Sequence, residues 1–397
     1  MKTKGQVTLF ILLGLLIVIV FGFLFYLIGY TAKKEGEPTV EESQKLSLEF
    51  KPINEYVIAC LDTVSKDALL KVGKQGGRIL ISEGGTLINY EGIYDNANEH
   101  VSYALYPPSP FIVPGPWEYP WENFGSDDVR IGVFGGNNLP PLQKIEGAHS
   151  IQAQLESYIT KKMPDCLDFS VFEEKAFEIN AGKMETEVII GKKDVAVHLK
   201  YPIGIKNLAT GQSARVEEFY IKIQVRLKEV YNFARWLISN DITDIELDIG
   251  SPSNNKNYLA VNILGGDGTS SMGYDDIIKV TDEKSKIKGT PYSFSFARKN
   301  RIPALIYIQS PITRTLHENE ELTQADIASN PQAIDPDEDI NLQFAFDPQG
   351  QATSLPITNE FYYRTICSGG GGTIKVNVTV RDDAGLLDYQ VVEVPCD

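Results

Sequence analysis

The sequence predicts an α+β protein: a mixed helical and stranded body, carried on one amino-terminal membrane helix and followed by a strand-rich tail. Three observations lead there. Residues 7–30 (VTLFILLGLLIVIVFGFLFYLIGY) contain no charged side chain. Apolar residues recur at helical spacing in three later stretches, and several shorter runs alternate apolar and polar residues with a period of two.

The apolar run comes first. As a helix it reaches about 36 Å, enough to cross a hydrocarbon core of about 30 Å. No other window approaches it, so everything after residue 30 is one polar body on a single anchor. Residues 1–6 (MKTKGQ) form a short basic leader. A cleaved secretory signal would have a shorter apolar core and a small-residue cleavage site, and neither is present. The phrase Lys4-Gly5-Gln6-Val7-Thr8 resembles the class III signal of archaeal type IV pilin-like proteins. That resemblance implies processing between Gly5 and Gln6 with the helix kept on the mature chain. Phe10 stands where many such pilins carry Glu, which speaks for processing more than for filament assembly.

The flanking charges do not orient the anchor: Lys2 and Lys4 stand on one side, Lys33, Lys34, Lys45 and Lys51 on the other. The signal-like layout and the cysteines place the carboxyl-terminal body outside. The expectation is a single-pass cell-membrane protein with an extracellular body.

Composition sets limits on that body. The chain has 397 residues, length for two to three domains, and a net charge of −16. An acidic balance excludes nucleic acid as the partner, because phosphate binding needs clustered Lys and Arg. The partners that remain are the membrane, other surface proteins, or the chain itself.

Residues 31–51 are charge-rich and read as a stalk, and residues 52–310 as the α+β ectodomain. Pro52 opens a helix with Ile53, Val57, Cys60 or Leu61, Val64 and Ala68 on one face, stopped at Gly73 and then Gly76-Gly77. Residues 106–124 interleave six prolines with aromatics. Proline forbids helix or inner strand there, so Phe111, Trp117, Tyr119 and Trp121 are either the cover of a core or an exposed binding loop. A second helix runs from about Ser150 to Lys162, ended by Pro164. Val195, Val197 and Leu199 alternate with Ala196, His198 and Lys200, and Gly182-Lys183 and Gly191-Lys192 read as hairpin turns. A third helix carries Leu227, Val230, Tyr231, Ala234, Leu237 and Ile238 as its stripe.

Residues 311–397 form a separate tail. Ile374, Val376, Val378 and Val380 alternate as a half-buried strand, and Asp382-Asp383-Ala384-Gly385 turns into the last one. The phrases Asp335-Pro336-Asp337-Glu338-Asp339, Leu342-Gln343-Phe344-Ala345-Phe346 and residues 372–380 resemble cadherin-like and PKD-like immunoglobulin-type repeats. The resemblance implies an Ig-like β-sandwich, a fold that hosts many functions.

Four cysteines allow three connectivities. The domain parse favours Cys60–Cys166 and Cys367–Cys396, each closing within its own unit. Paired cysteines imply an oxidising exterior. No C-x-x-C or C-x-x-H spacing for zinc occurs. Asn377-Val378-Thr379 is a glycosylation sequon.

Chemistry is sparse. No H-E-x-x-H, G-x-S-x-G or phosphate loop is present. His198 beside Lys200 reads as part of a solvated face, and His317 as charge-compensated among glutamates. Calcium is the one cofactor the sequence admits, with Asp335, Asp337 and Asp339 as closely spaced oxygen ligands. The expectation is therefore a surface protein with a structural, adhesive or ligand-presenting role, not an enzyme. A pilin-like filament subunit and an anchored hydrolase are the alternatives.

Overall fold

Ile53, Val57, Cys60, Leu61, Val64, Ala68 and Leu69 lie buried along one side of α1 (Lys51–Lys74). The helix stops where Gly76 and Gly77 take positive φ, a conformation that costs glycine little. This computed structural model describes residues 49–79, 86–89, 99–106, 136–244, 247–265, 274–301, 303–305, 308–318, 320, 333–335, 337, 342–347 and 372–397. By contacts the chain divides into Met1–Pro52 and Ile53–Asp397. Residues 7–30 lie outside the described residues. Among the described residues, no helix is long and apolar enough to cross a membrane.

Among the described residues the larger unit holds four sheets, three of them with three strands or more. The first is six-stranded, in the order β1 (Thr86–Asn89), β2 (Glu99–Tyr106), β10 (Thr290–Arg298), β9 (Asp276–Ile287), β8 (Leu259–Gly265), with β3 (Gly136–Asn137) also on β2. Among the described residues of this sheet, only the β2–β10 pairing is parallel. Tyr292, Phe294 and Phe296 are fully buried on β10. The Tyr292 hydroxyl donates to the Leu69 carbonyl of α1 at 3.3 Å. Helix and strand meet at Gly73, where a Cβ would lie 2.3 Å from the Ser293 carbonyl oxygen. Only glycine permits that approach.

The second sheet is four-stranded: β4 (Phe177–Ala181), β5 (Glu185–Ile190), β6 (Val195–Asn207) and β7 (Ser213–Ile223). Gly191 closes the β5–β6 hairpin, its N–H donating to the Asp194 carbonyl at 2.9 Å. Gly182-Lys183 does not close one. β4 and β5 lie end to end on the same edge of β6, which shifts register between Lys200 and Ile203. α2 (Ile151–Cys166) is capped by the Ser150 hydroxyl and lies beside β5. It runs to Cys166, two residues past the proline expected to end it. The Tyr56 hydroxyl donates to the Cys166 carbonyl at 2.9 Å and so secures that end. The short α3 (Ser170–Glu173) follows. α4 (Leu227–Thr243) packs on β9 and β10, with Leu227, Val230, Tyr231, Ala234, Leu237 and Ile238 buried.

The tail corrects the predicted fold class. Its third sheet is an open antiparallel set, β13 (Gln343–Asp347), β14 (Gly372–Arg381) and β15 (Leu387–Cys396). Val376, Val378, Val380, Val392 and Val394 bury one face of it. An immunoglobulin-type sandwich would cover that face with a second sheet. Here four described residues of the preceding segment, Leu305, Ile308, Ile312 and Leu316, cover it. The other described pairings are short: two residues of β11 (Ala304–Leu305) with β12 (Ala333–Ile334), and a parallel bridge between Leu316 and Cys396. The segment is held by polar side chains of β15. Gln390 accepts from the Ile308 N–H at 2.9 Å and donates back to its carbonyl at 2.6 Å. Asp388 accepts from the Leu305 N–H at 2.9 Å. The helix–strand balance is corrected too: among the described residues strand is the main element, at 41%, with few helices. Neither the balanced α+β body nor the Ig-like β-sandwich describes it.

Candidate functional site

The outer face of the β5–β6–β7 sheet concentrates the polar chemistry. Register sets it out in two rows. Glu185 lies opposite Lys200, which lies opposite Glu218. Glu187 lies opposite His198, which lies opposite Tyr220. The alternate residues Val188, Val197, Leu199 and Phe219 face the core. Strand alternation thus places a mixed-charge face over an apolar one.

His198 is not simply solvated, as its outward position implied. Its side chain is 14% exposed, and its ring stacks on Tyr220 with centroids 4.1 Å apart. Nδ1 lies 3.7 Å from Glu187 and Nε2 3.5 Å from Glu218. The Tyr220 hydroxyl donates to Glu218 at 2.6 Å. That bond holds the Glu218 carboxyl below its usual range. Loss of solvent around the hydroxyl, then the bond to Glu218, push Tyr220 up to about 12.

Beside this face opens a cleft of about 420 Å³, lined by Lys144, Gln152, Glu156, Glu185, Thr186, Glu187 and Lys200. Its floor is the contact between α2 and β5. Gln152 donates to the Val188 carbonyl at 2.8 Å, and Glu156 accepts the Val188 N–H at 3.1 Å. One helical turn thereby satisfies both backbone groups of a β5 residue, covering a strand edge that would otherwise invite pairing. Lys144 neutralises the buried Glu156. The remaining groups offer donors and acceptors to a polar ligand. Thr186 accepts from the Thr160 hydroxyl at 2.8 Å, and on the neighbouring face the Tyr220 hydroxyl is bonded to Glu218.

Sequence reasoning missed Lys144, Glu156, Glu218 and Tyr220. The period-two pattern put His198 outward, but only the register shows which neighbours cover it.

The residues singled out in sequence fall elsewhere. Cys60 and Cys166 are joined across α1 and α2, with Cα atoms 5.8 Å apart. Cys396 is also disulfide-bonded; Cys367 lies outside the described residues. Asp335 and Asp337 are brought together, with the Asp337 N–H donating to Asp335 at 2.8 Å. Asp337, however, faces cations. Arg301 reaches it through Nη2 at 2.8 Å and Nε at 2.9 Å, and Arg298 Nε lies 3.3 Å away. Despite burial, these two arginines hold its carboxyl below the usual range. Asp241 and Asp276 complete the buried cluster. Burial pushes Asp276 up, against the pull of Arg298.

Among the described residues no group of three His, Cys, Asp or Glu side chains could hold a metal. Asp339 lies outside them. Asn377 is half-buried on the central strand β14, paired with Asp347 and Val391. Gly5, Gln6, Phe111, Trp117, Tyr119 and Trp121 lie outside the described residues. The chain matches no protein-family model and no curated protein.

Proposed function

We propose that this chain is a surface protein held at the cell membrane by residues 7–30, with its strand-rich body outside as a structural or adhesive, ligand-presenting element. The observation that carries the reading is the Cys60–Cys166 cystine. It ties α1 to α2 across 106 residues of sequence. Such closures persist in oxidising compartments and are rare where thiols are kept reduced. The acidic balance and the uncharged apolar run support the same placement.

The polar face of β5–β6–β7, with its cleft, is the surface this reading assigns to presentation. Its groups are fixed by strand register and by the α2 edge contact, the rigid support that a binding site needs. Peptide mapping of protein extracted from thiol-quenched cells tests the reading. Without reductant, the Cys60 and Cys166 peptides are expected joined. Recovery of both as alkylated free thiols contradicts it.

A further inference from the structure

A second surface lies on the turn between Lys256 and Leu259. Their N–H and carbonyl groups pair reciprocally, at 3.1 and 2.8 Å. The two central residues, Asn257 and Tyr258, have φ of 52° and 68°. Such a turn favours Asn-Gly, and a bulky aromatic in the left-handed region is strained. Strain of this kind persists where surrounding structure enforces it. Here the enforcing groups are visible. Arg226 donates to the Asn257 carbonyl at 3.1 Å, and the Glu283 N–H to the Tyr258 carbonyl at 3.2 Å. Arg226 is itself fixed by the fully buried Asp282, which also accepts the Ser285 hydroxyl and the Lys284 N–H. The result is an aromatic ring 61% exposed at the end of a rigid turn.

The cations around it are ordered as well. Lys284 Nζ lies 3.7 Å from the centroid of this exposed Tyr258 ring. Lys256 Nζ lies 3.5 Å from the Trp236 ring. Lys286 is exposed two residues beyond Lys284, and Glu283 is the acidic neighbour on that strand. On a chain with a net charge of −16, this basic, aromatic-tipped edge stands against the overall field.

We infer that the Tyr258 turn is a binding site for an acidic polysaccharide. A pyranose ring stacks on the exposed tyrosine ring while its carboxylates meet Lys256, Lys284 and Lys286. Charge complementarity supplies the anion, and an exposed ring supplies the stacking platform. An acidic lipid surface would need an apolar rim to insert, whereas Asn255 and Asn257 flank this ring.

The test uses the full chain in detergent, with immobilised polygalacturonate against neutral dextran at low ionic strength. The wild-type protein is expected to bind polygalacturonate at least about tenfold tighter than dextran. Tyr258→Gly relaxes the turn and removes the ring, so binding is lost while the melting temperature stays at or above wild type. Lys284→Gln with Lys286→Gln weakens binding and flattens its salt dependence. Equal binding to both polymers overturns the inference, as does wild-type affinity in Tyr258→Gly. Tyr258-dependent binding to phosphatidylglycerol vesicles, or Tyr258-dependent self-association, without polygalacturonate binding also overturns it.

Discussion

The Arg301 guanidinium and the Asp337 carboxylate meet in the interior, with Nε and Nη2 both donating to Oδ1 and the Arg301 N–H donating to Oδ2 at 2.5 Å. Arg301 also reaches Asp241 at 3.1 Å. The residue read from sequence as a calcium ligand is thus a clamp holding the tail residue Asp337 to α4 and to the end of β10. Removing one partner leaves the others buried and uncompensated. Arg301→Met is expected to cost about 3–5 kcal/mol in urea unfolding. Arg301→Met with Asp337→Leu should recover at least half of it, and a double variant no better than the single contradicts the clamp.

The Cys60–Cys166 bridge closes a loop spanning 106 residues of sequence. In the chain-entropy model such a loop is worth about 4–5 kcal/mol. Cys60→Ser with Cys166→Ser should lower the urea midpoint accordingly. In that variant, reductant should no longer produce the loss of stability attributable to this bridge.

Burial pushes Asp388 up to about 8, although it accepts backbone N–H groups from Leu305 and Tyr389. A carboxyl whose folded pKa lies above its unfolded value binds its proton more tightly in the folded state. Its penalty is absent below about pH 4, grows as pH rises, and is complete above about pH 8. Asp388→Asn should therefore gain on wild type by about 1.4 kcal/mol per pH unit within that window. Parallel stability–pH curves for the two proteins would contradict the assignment.

Glu156 satisfies the Val188 N–H on the free edge of β5. Glu156→Ala leaves a buried donor unmade and frees Lys144, at a cost of about 1–3 kcal/mol. Amide exchange reads this locally. Val188 should lose protection in the variant while Val197, in the centre of the sheet, keeps it.

The helices were the most legible part of the fold, because each buries a single stripe that its spacing declares. The helix start near Ser150 and the stripes of α1 and α4 all read directly. Pro164 misled, since the rule that proline ends a helix takes no account of Tyr56 arriving from a residue 110 positions away. The tail strands were legible as strands: β13, β14 and β15 pair in the register their alternation allows. What covers them was not. Leu305, Ile308, Ile312 and Leu316 fill the face that a second sheet fills in the resembled repeats.

The site was less legible than the fold. Glu187, His198 and Tyr220 lie in separate strands and meet only through pairing. The Tyr258 turn carries no glycine to announce its positive φ.

Protease treatment of intact cells, followed by detection of a carboxyl-terminal epitope, tests the placement of the body most directly. The epitope is expected to be lost from intact cells, to the same extent as in lysed cells. An epitope that survives in intact cells and disappears only after lysis would place the body inside, and contradict it.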